Sequence, residues 1–302
     1  MSYELAIGDR TYSSWSLRGW LMFEAFGIPV RVRRARLYSD EVPRLLADFA
    51  PARLVPAMRT PEGIAVGETL AIAETLAERH PEAGMWPADP AARAFARWLS
   101  AEMHAGFAAL RDHCTMHLGK SYTDCAPPPA VLADVARIEA LWAEARQRFG
   151  AGGPWLFGAY SIADAMYAPV AGRIATYNLP VGAGAAAYVA AHLADPAFRR
   201  WRAMGLAENF EQPVYRRDYP ERPWPGPAPR PADRAEGPSE NVACPYSGDP
   251  VTHYLRMDGR VWGFCNAFCR DKTLHDPEAW PAFMAMVGAA ALLSTVPPAP
   301  AR

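Results

Sequence analysis

The sequence has almost no net charge and no apolar run long enough to cross a membrane. Its 31 lysine and arginine residues nearly balance 32 aspartate and glutamate residues, so no polyanionic partner such as a nucleic acid is favoured. Met1–Glu4 lack the basic region and apolar core of a signal peptide. Residues 283–296, the apolar part of an uncharged stretch, are fewer than the roughly 20 of a membrane-spanning helix. We therefore expect a cytoplasmic protein that binds no membrane and no nucleic acid, with a terminal helix over that stretch.

Cysteine is also scarce. The chain has five cysteines, at positions 114, 125, 244, 265 and 269. An odd number with a cluster near one end is not typical of a disulfide framework, so reduced thiols are the simpler interpretation. The cluster at 244, 265 and 269 leaves a metal site open.

The first 82 residues alternate short strand patterns with helical patterns. Strands are predicted at 3–7, 30–37, 55–60 and 63–66, and helices from residue 16 to Gly27, over 40–49 and over 68–80. Strand, helix, strand, helix, then two strands and a helix suggest a small α/β domain. Its sheet should have a parallel part and a hairpin edge.

Strand patterns stop at residue 89. Helical patterns follow over 91–119, 130–149, 161–178, 184–194 and 197–208, which predicts an all-helical domain over 89–210. Ser161 followed by Asp164 is a capping-box arrangement that marks a helix start. Residues 211–240 are rich in proline and favour an extended or partly disordered linker. A small Cys-rich α+β module over 241–288 completes the predicted order.

Hydroxyl side chains gather at the junction of the first strand and the first helix, in the segment Thr11–Arg18. A helix start can hold a small anion or thiolate through its N–H groups and dipole. Val55–Pro56 precedes a strand and leaves a free strand edge if its peptide bond is cis, and Glu68–Thr69 opens another helix. Together these features suggest a slot for a short, acidic, thiol-bearing peptide. Taken singly, each is also consistent with capping or a turn.

Residues 1–210 resemble a glutathione transferase. The segment Ser13–Arg18 resembles the active-site segment of serine-type enzymes and is closest to the zeta class, which has Cys where Trp15 stands here. Val55–Pro56 matches the family's cis-proline position, and Glu68–Thr69 matches its acidic-hydroxyl pair. Ser161–Asp164 matches the capping box of its helical domain. The resemblance implies an α/β thioredoxin-like domain followed by an all-α domain of glutathione-transferase type.

The same resemblance implies roles for individual residues. Ser13, or its neighbour Ser14, would donate a hydrogen bond to the glutathione sulfur and favour the thiolate. Val55 would pair its backbone with the cysteinyl part, while Glu68 would take the γ-glutamyl ammonium and Thr69 its carboxylate. The full set expected to bind glutathione is Tyr12, Val55, Pro56, Glu68 and Thr69. Residues expected to face an electrophile are Trp98, His104, Phe107 and Met116.

Cys244, Cys265 and Cys269 can meet at one Zn²⁺ or similar soft ion, since Cys265 and Cys269 are four apart and share a helix face. Residues 241–284 resemble the YHS/TRASH group of small metal-binding modules. The fourth ligand is open, with His253, His275, water or a substrate as candidates. The alternative is that these thiols are simply buried.

The preferred function is a cytosolic glutathione transferase that conjugates or isomerises an apolar electrophile. Glutathione is then the co-substrate, and a homodimer built around the third and fourth helices is expected by resemblance. A second hypothesis is a non-catalytic scaffold that binds a thiol or a protein and senses metal through the Cys-rich module at 241–288. A third is a zeta-like isomerase of a dicarboxylic substrate, to which Trp15 and the few cations evident near the site are unfavourable, although Arg18 leaves it open.

Overall fold

The structure is a computed structural model that describes the backbone of residues 2–294 and the side chains of residues 2–289. The chain divides into two compact units. The first comprises the residues up to Phe198 together with Glu211–Gly226. The second comprises Arg199–Phe210 and the residues from Pro227 onward. None of the described helices combines the length and apolarity needed to cross a membrane.

The first unit begins with a four-stranded sheet and three helices. Its elements are β1 (Tyr3–Ile7), α1 (Ser14–Glu24), β2 (Val30–Arg34), α2 (Glu41–Ala47), β3 (Ala57–Arg59), β4 (Ala65–Gly67) and α3 (Thr69–Arg79). The strand order is β2-β1-β3-β4, with β1 and β2 parallel and the other pairs antiparallel. The predicted parallel part and hairpin edge are therefore confirmed, in a thioredoxin-like arrangement.

Burial explains this local order. Leu5, Ala6 and Ile7 at the end of β1 are fully buried, as are Leu17 and Leu21 on α1. Apolar side chains on both partners let α1 lie close to β1. The end of β1 and the start of α1 are thus fixed next to each other.

The rest of the first unit is mainly helical. It contains α4 (Pro90–Ala105), α5 (Ala108–His113), β5 (Ser121–Tyr122), α6 (Pro129–Phe149), α7 (Ile162–Tyr177), α8 (Ala183–Ala194) and β6 (Glu221–Arg222). Every residue of α7 is buried, and α7 packs against α1, α4 and α8. The predicted capping box is present: the Asp164 carboxylate accepts hydrogen bonds from the backbone N–H and the hydroxyl of Ser161.

The predicted continuous helix over 91–119 is wrong. It ends at Ala105 because Gly106 takes an extended conformation and Phe107 a left-handed one, with φ of 59°. The chain then restarts as α5, which is short. The short α5 packs against α6, and its Leu110 N–H donates to the Asp134 carboxylate at 2.9 Å.

The second unit is a small α+β module. The helix α9 (Pro196–Ala207) runs into it from the first unit, and its further elements are β7 (Asp233–Ala235), β8 (His253–Met257), β9 (Arg260–Phe264), α10 (Ala267–His275) and α11 (Pro281–Ser294). The three strands form an antiparallel sheet in the order β7-β8-β9. The part of the predicted terminal helix at residues 295–296 lies outside the described residues.

The proline-rich segment 211–240 is more structured than its composition suggests. Its residues 221–222 pair with β5, and its residues 233–235 pair with β8. Backbone pairing needs few apolar side chains, so short strands form between the prolines. The expectation of a plain extended or disordered linker is corrected to this extent.

Candidate functional site

Ser13 is the N-cap of α1. Its hydroxyl donates to the Ser16 hydroxyl at 2.7 Å and accepts from the Ser16 backbone N–H at 3.3 Å. Ser16 is fully buried, and its hydroxyl also accepts from the Gly8 backbone N–H at 2.9 Å. The Ser13 hydroxyl therefore stabilises the turn between β1 and α1.

Ser14 is the first residue of α1 and has a different partner. Its hydroxyl oxygen accepts from Nη2 of Arg173 at 3.4 Å. Arg173 is buried on α7, where its Nε and Nη1 donate to the backbone carbonyls of Cys114 and Pro169. Among the described residues, this is the one hydrogen bond of the Ser14 hydroxyl, so its proton has no acceptor there.

Trp15 lies between cationic groups. The guanidinium carbon of Arg18 is 4.4 Å from the ring centroid of Trp15, and that of Arg111 is 5.2 Å from it. The His104 ring meets Trp15 edge to face, with centroids 5.1 Å apart. Cations over an indole face are attracted by its electron density. The side chain at the position where the zeta class has cysteine is thus a platform for positive charge.

Arg18, Arg111 and Arg173 form a cluster of positive charge. In the described part of the chain, none of the three forms an ion pair with a carboxylate. Burial, together with Arg173 and Arg111, lowers the pKa of Arg18 well below its ordinary value, and its Nη2 atom has no hydrogen-bond partner among the described residues. Burial, with Arg111, lowers the pKa of Arg173 to about 10. Arg173 therefore remains charged at neutral pH and favours an anion nearby.

The Val55–Pro56 peptide bond is cis. Among the described residues, neither backbone group of Val55 has a hydrogen-bond partner, so both are free for an extended ligand. Helix α1 comes close to Pro56 at Gly19, where a Cβ atom would lie 2.8 Å from the proline ring. Glycine is thus required at this close approach.

Glu68 immediately precedes α3 and has a φ of 66°, an uncommon conformation for a residue with a side chain. Such conformations cluster at ligand clamps. Its exposed carboxylate lies 3.5 Å from Nε2 of His104. Thr69, the first residue of α3, is buried, and the first N–H groups of a helix are open to an anion.

Two cavities contain these groups. A narrow cavity of 230 Å³ is lined by the predicted slot residues Val55, Pro56, Glu68 and Thr69, with His104. A wide cavity of 520 Å³ is lined by residues that include Tyr12, Ser13, Ser14, Arg173 and Tyr215. Residues common to both linings are Trp15, Leu54, Val55 and Arg111. The two cavities therefore adjoin, and Trp15 lies where they meet.

Tyr12 forms part of the wall of the wide cavity. Its ring packs against His117 at 5.0 Å and Tyr215 at 4.8 Å, and burial raises its pKa. Tyr215 belongs to the returning segment 211–226, which Gln212 fastens by donating to the Leu37 carbonyl at 2.9 Å. A neutral, packed phenol is suited to shaping the cavity and not to activating a thiol.

The structure separates the residues that were expected to face an electrophile. Met116 lines the wide cavity and His104 the narrow one. Trp98 is 53% exposed and packs on Phe95, while Phe107 is buried, and neither lines either cavity. Arg111 and Arg173 do line the wide cavity, although the sequence pattern did not single them out.

The second unit brings three thiols together. The Sγ atoms of Cys244, Cys265 and Cys269 all lie within 4.8 Å of one another. Burial raises the pKa of Cys244, but hydrogen bonds from the backbones of Cys265, Tyr246 and Ser247 outweigh it and lower the pKa to about 7. The Cys265 thiol accepts from Ser247 at 3.4 Å and donates to Cys269. Such a set of soft donors fits one Zn²⁺ ion.

Neither histidine proposed as a fourth ligand joins the cluster. His253 begins β8, and its Nδ1 forms a hydrogen bond with the Thr252 hydroxyl. His275 lines a separate groove, which Asp271 also lines. Among the described residues, no histidine or carboxylate completes the three-cysteine group. His253 is held in the pairing of β8 with β9, and His275 is the last residue of α10. Both imidazole rings therefore lie outside the three-cysteine group.

Comparisons with known proteins find relatives of the N-terminal part of this chain. Residues 12–79 match the family model described as glutathione S-transferase, N-terminal domain. Over 103 residues the chain is 32% identical to a probable maleylacetoacetate isomerase of Caenorhabditis elegans, a match that covers 34% of this chain. The match covers 47% of that relative, so the chain spans about half the length of this curated relative.

Solved structures give the fold. A glutathione transferase homologue from Burkholderia, with bound glutathione, has a TM-score of 0.52 at 21% identity; 70% of this chain and 100% of that one are covered. For the glutathione transferase Omega 2S of Trametes versicolor, the TM-score is 0.53 at 21% identity, with coverages of 71% and 99%. The Tau class enzyme of mango (Mangifera indica) gives 0.51 at 17% identity, covering 67% and 92%.

These findings confirm the thioredoxin-like domain and the helical domain of glutathione-transferase type, with a small Cys-rich region after them. Residues 12–79 are thus similar to the N-terminal domain of glutathione S-transferases. The reaction and its substrate are matters of proposal.

Proposed function

We propose that this chain is a glutathione-dependent enzyme whose electrophile is an unsaturated carboxylic acid, and that isomerisation of such an acid is its reaction. The observation that carries the proposal is the pair of arginines in the wide cavity, Arg111 and Arg173, neither of which is paired with a carboxylate of the described chain. A cavity with two uncompensated cations favours an anionic ligand over a neutral one. The relative named as a maleylacetoacetate isomerase supports the same choice.

Glutathione occupies the narrow cavity in this proposal. The free backbone groups of Val55 pair with its cysteinyl part, beside Pro56. The Glu68 carboxylate takes the γ-glutamyl ammonium, and Thr69 with the first N–H groups of α3 takes the γ-glutamyl carboxylate. The sulfur then lies near the start of α1, where the narrow and wide cavities adjoin.

The chemistry follows from these positions. A thiolate adds to the conjugated double bond of the acid, which leaves a single bond and an enolate. Rotation about that single bond and expulsion of the thiolate restore the double bond in the other geometry, so glutathione is regenerated. Arg111 and Arg173 stabilise the carboxylates and the enolate charge. Conjugation of an apolar electrophile is the alternative, which Leu37, Val42 and Met116 on the same wall would favour.

Comparison of two electrophiles tests this proposal. We expect Arg111→Gln to lower kcat/KM for maleylacetoacetate about tenfold or more, since hydrogen bonds to charged groups contribute roughly 1.5–3 kcal/mol. Turnover of the uncharged 1-chloro-2,4-dinitrobenzene should change far less. Arg148→Gln, an exposed position on α6 that pairs with Glu144, is the matched control. Turnover of the uncharged electrophile alone, or equal losses with both, would contradict an anionic substrate.

A second function is proposed for the second unit: the binding of one soft divalent ion such as Zn²⁺ by Cys244, Cys265 and Cys269. Tetrahedral Zn–S bonds of about 2.3 Å place two sulfurs about 3.8 Å apart. The Sγ atoms of Cys265 and Cys269 are 3.8 Å apart, which fits this geometry. Such an ion would fasten the turn at Cys244 to the start of α10.

Metal analysis of cysteine variants tests this site. Protein purified in the presence of Zn²⁺ should contain about one ion per chain, and Cys265→Ser should lose it by elemental analysis. Cys125→Ser, which changes a half-buried thiol of the first unit, is the matched control and should keep the ion. Equal metal content in both variants, or none in the unchanged protein, would exclude the three-cysteine site.

A further inference from the structure

We propose that the three-cysteine group of the second unit leaves one coordination position of its ion open, and that this position takes the thiolate of an external small-molecule thiol. The inference rests on the metal binding proposed above for Cys244, Cys265 and Cys269, and it names the ligand that completes that site. Closed structural sites have four protein ligands, whereas sites with three protein ligands keep one position for an external ligand. Three features of the second unit carry the inference.

The first feature is the number of ligands that this chain supplies. The Sγ atoms of Cys244, Cys265 and Cys269 lie within 4.8 Å of one another, and no other Cys, His, Asp or Glu of the described residues joins them. Met1 and residues 290–302, whose side chains lie outside the described part, include none of these four residue types. The side chains of this sequence thus provide three ligands, and a fourth donor comes from elsewhere.

The second feature is a set of hydrogen bonds that holds two of the sulfurs in place. The buried Cys244 sulfur accepts backbone hydrogen bonds from Cys265, Tyr246 and Ser247. The Cys265 sulfur accepts from the Ser247 hydroxyl at 3.4 Å and from the Asn266 side-chain amide at 3.3 Å. Hydrogen bonds of this kind orient the ligands of a metal ion. The protein therefore fixes these two sulfurs without the help of a fourth ligand.

The third feature is the exposure of the chain around the group. Cys265 and Cys269 are half-buried, in contrast to the buried Cys244. Residues 247–250, which follow the first cysteine, and residues 266–268, which separate the other two, are all exposed. The three-cysteine group therefore lies at the surface of the second unit, where a ligand dissolved in water can reach it.

The donor set and the nearby charge favour a thiol as the external ligand. An ion that three soft sulfur donors select also binds a fourth thiolate well. On binding, the external thiol loses its proton to solvent water, and its sulfur donates an electron pair to the ion. Four thiolates give a divalent ion excess negative charge, which the Lys272 ammonium offsets in part. This ammonium lies 3.7 Å from the ring centroid of Tyr246, in the turn that follows Cys244.

Cobalt(II) in place of zinc tests the open position, because its absorbance reports the number of bound thiolates. The full chain is loaded with Co²⁺ under anaerobic conditions and titrated with β-mercaptoethanol. We expect the sulfur-to-cobalt charge-transfer absorbance to rise by about one third, as three thiolates become four. Ser247→Cys is the matched variant, because the Ser247 oxygen is 3.4 Å from the Cys265 sulfur and a thiol there supplies the fourth ligand. This variant should show the higher absorbance before thiol is added and no rise afterwards.

The outcomes separate the inference from the metal binding on which it rests. Cys265→Ser, which should bind no cobalt, corrects for complexes of cobalt with the added thiol in solution. A cobalt spectrum that does not change with thiol, or one that the thiol abolishes, would overturn the inference. A four-thiolate spectrum before any thiol is added would also overturn it and assign the fourth ligand to a second copy of this chain. If the unchanged protein shows no cobalt–thiolate absorbance, the three-cysteine metal site itself fails, and the inference fails with it.

Discussion

His192 is a buried imidazole with no hydrogen-bond partner for Nε2 among the described residues. It is 1% exposed and packs edge to face on Trp155 and Tyr188, with ring centroids 5.1 and 4.6 Å away. Burial lowers its pKa from 6.5 to about 3. The folded protein therefore holds this ring in its neutral form.

This burial predicts sensitivity to acid. Between pH 6.5 and about 3 the unfolded chain binds a proton at His192 that the folded chain does not, so the free energy of unfolding falls as pH falls. From pH 7 to pH 5 the loss is about 2 kcal/mol. Urea unfolding at both pH values measures this loss. The fall in the free energy of unfolding from pH 7 to pH 5 should be about 2 kcal/mol smaller in His192→Phe than in the unchanged protein. Equal losses in the two proteins would contradict a neutral buried His192.

Arg111 and Arg173 show which residues a single sequence does not reveal. Arg173 lies 159 positions after Ser14, so only the fold brings the guanidinium to the hydroxyl. The serines were predicted from the cluster of hydroxyls where the first strand meets the first helix and from the family resemblance, because that pattern lies within one short segment. Val55, Pro56, Glu68 and Thr69 were predicted by resemblance, and the structure places all four on the narrow cavity. Their binding roles stay predictions.

At the scale of elements, local patterns predicted the order of strands and helices in the first unit well. Apolar periodicity was sufficient for α3 and α6, because their packing uses one helix face. Apolar periodicity failed between α4 and α5. There a Cβ atom added at Gly106 would lie 2.7 Å from the Glu102 carbonyl oxygen. Apolar residues on both sides of that glycine concealed the break.

The returning segment 211–226 is the second feature that composition did not predict. Proline-rich sequence favours an extended chain, yet Tyr215 reaches the wide cavity and packs on Tyr12. The hydroxyl of Tyr215 lies 3.4 Å from the hydroxyl of Tyr38, a residue that is 72% exposed. Contacts of this kind depend on two or three side chains, and no periodic pattern marks them.

At the scale of the whole molecule, two units carry separate chemistries. The first has the narrow cavity and the wide cavity with its arginines, while the second gathers three thiols. The homodimer expected around α3 and α4 and the resemblance of residues 241–284 to YHS/TRASH modules both stay predictions.

Calorimetric titration of glutathione into the full chain tests whether the first unit binds glutathione. We expect a Kd in the micromolar-to-millimolar range. We also expect Glu68→Gln to weaken binding roughly tenfold, because the γ-glutamyl ammonium loses its carboxylate partner. Glu78→Gln, which changes an exposed acid near the other end of α3, should bind as the unchanged protein does. No heat of binding, or equal affinities in all three proteins, would contradict the glutathione slot.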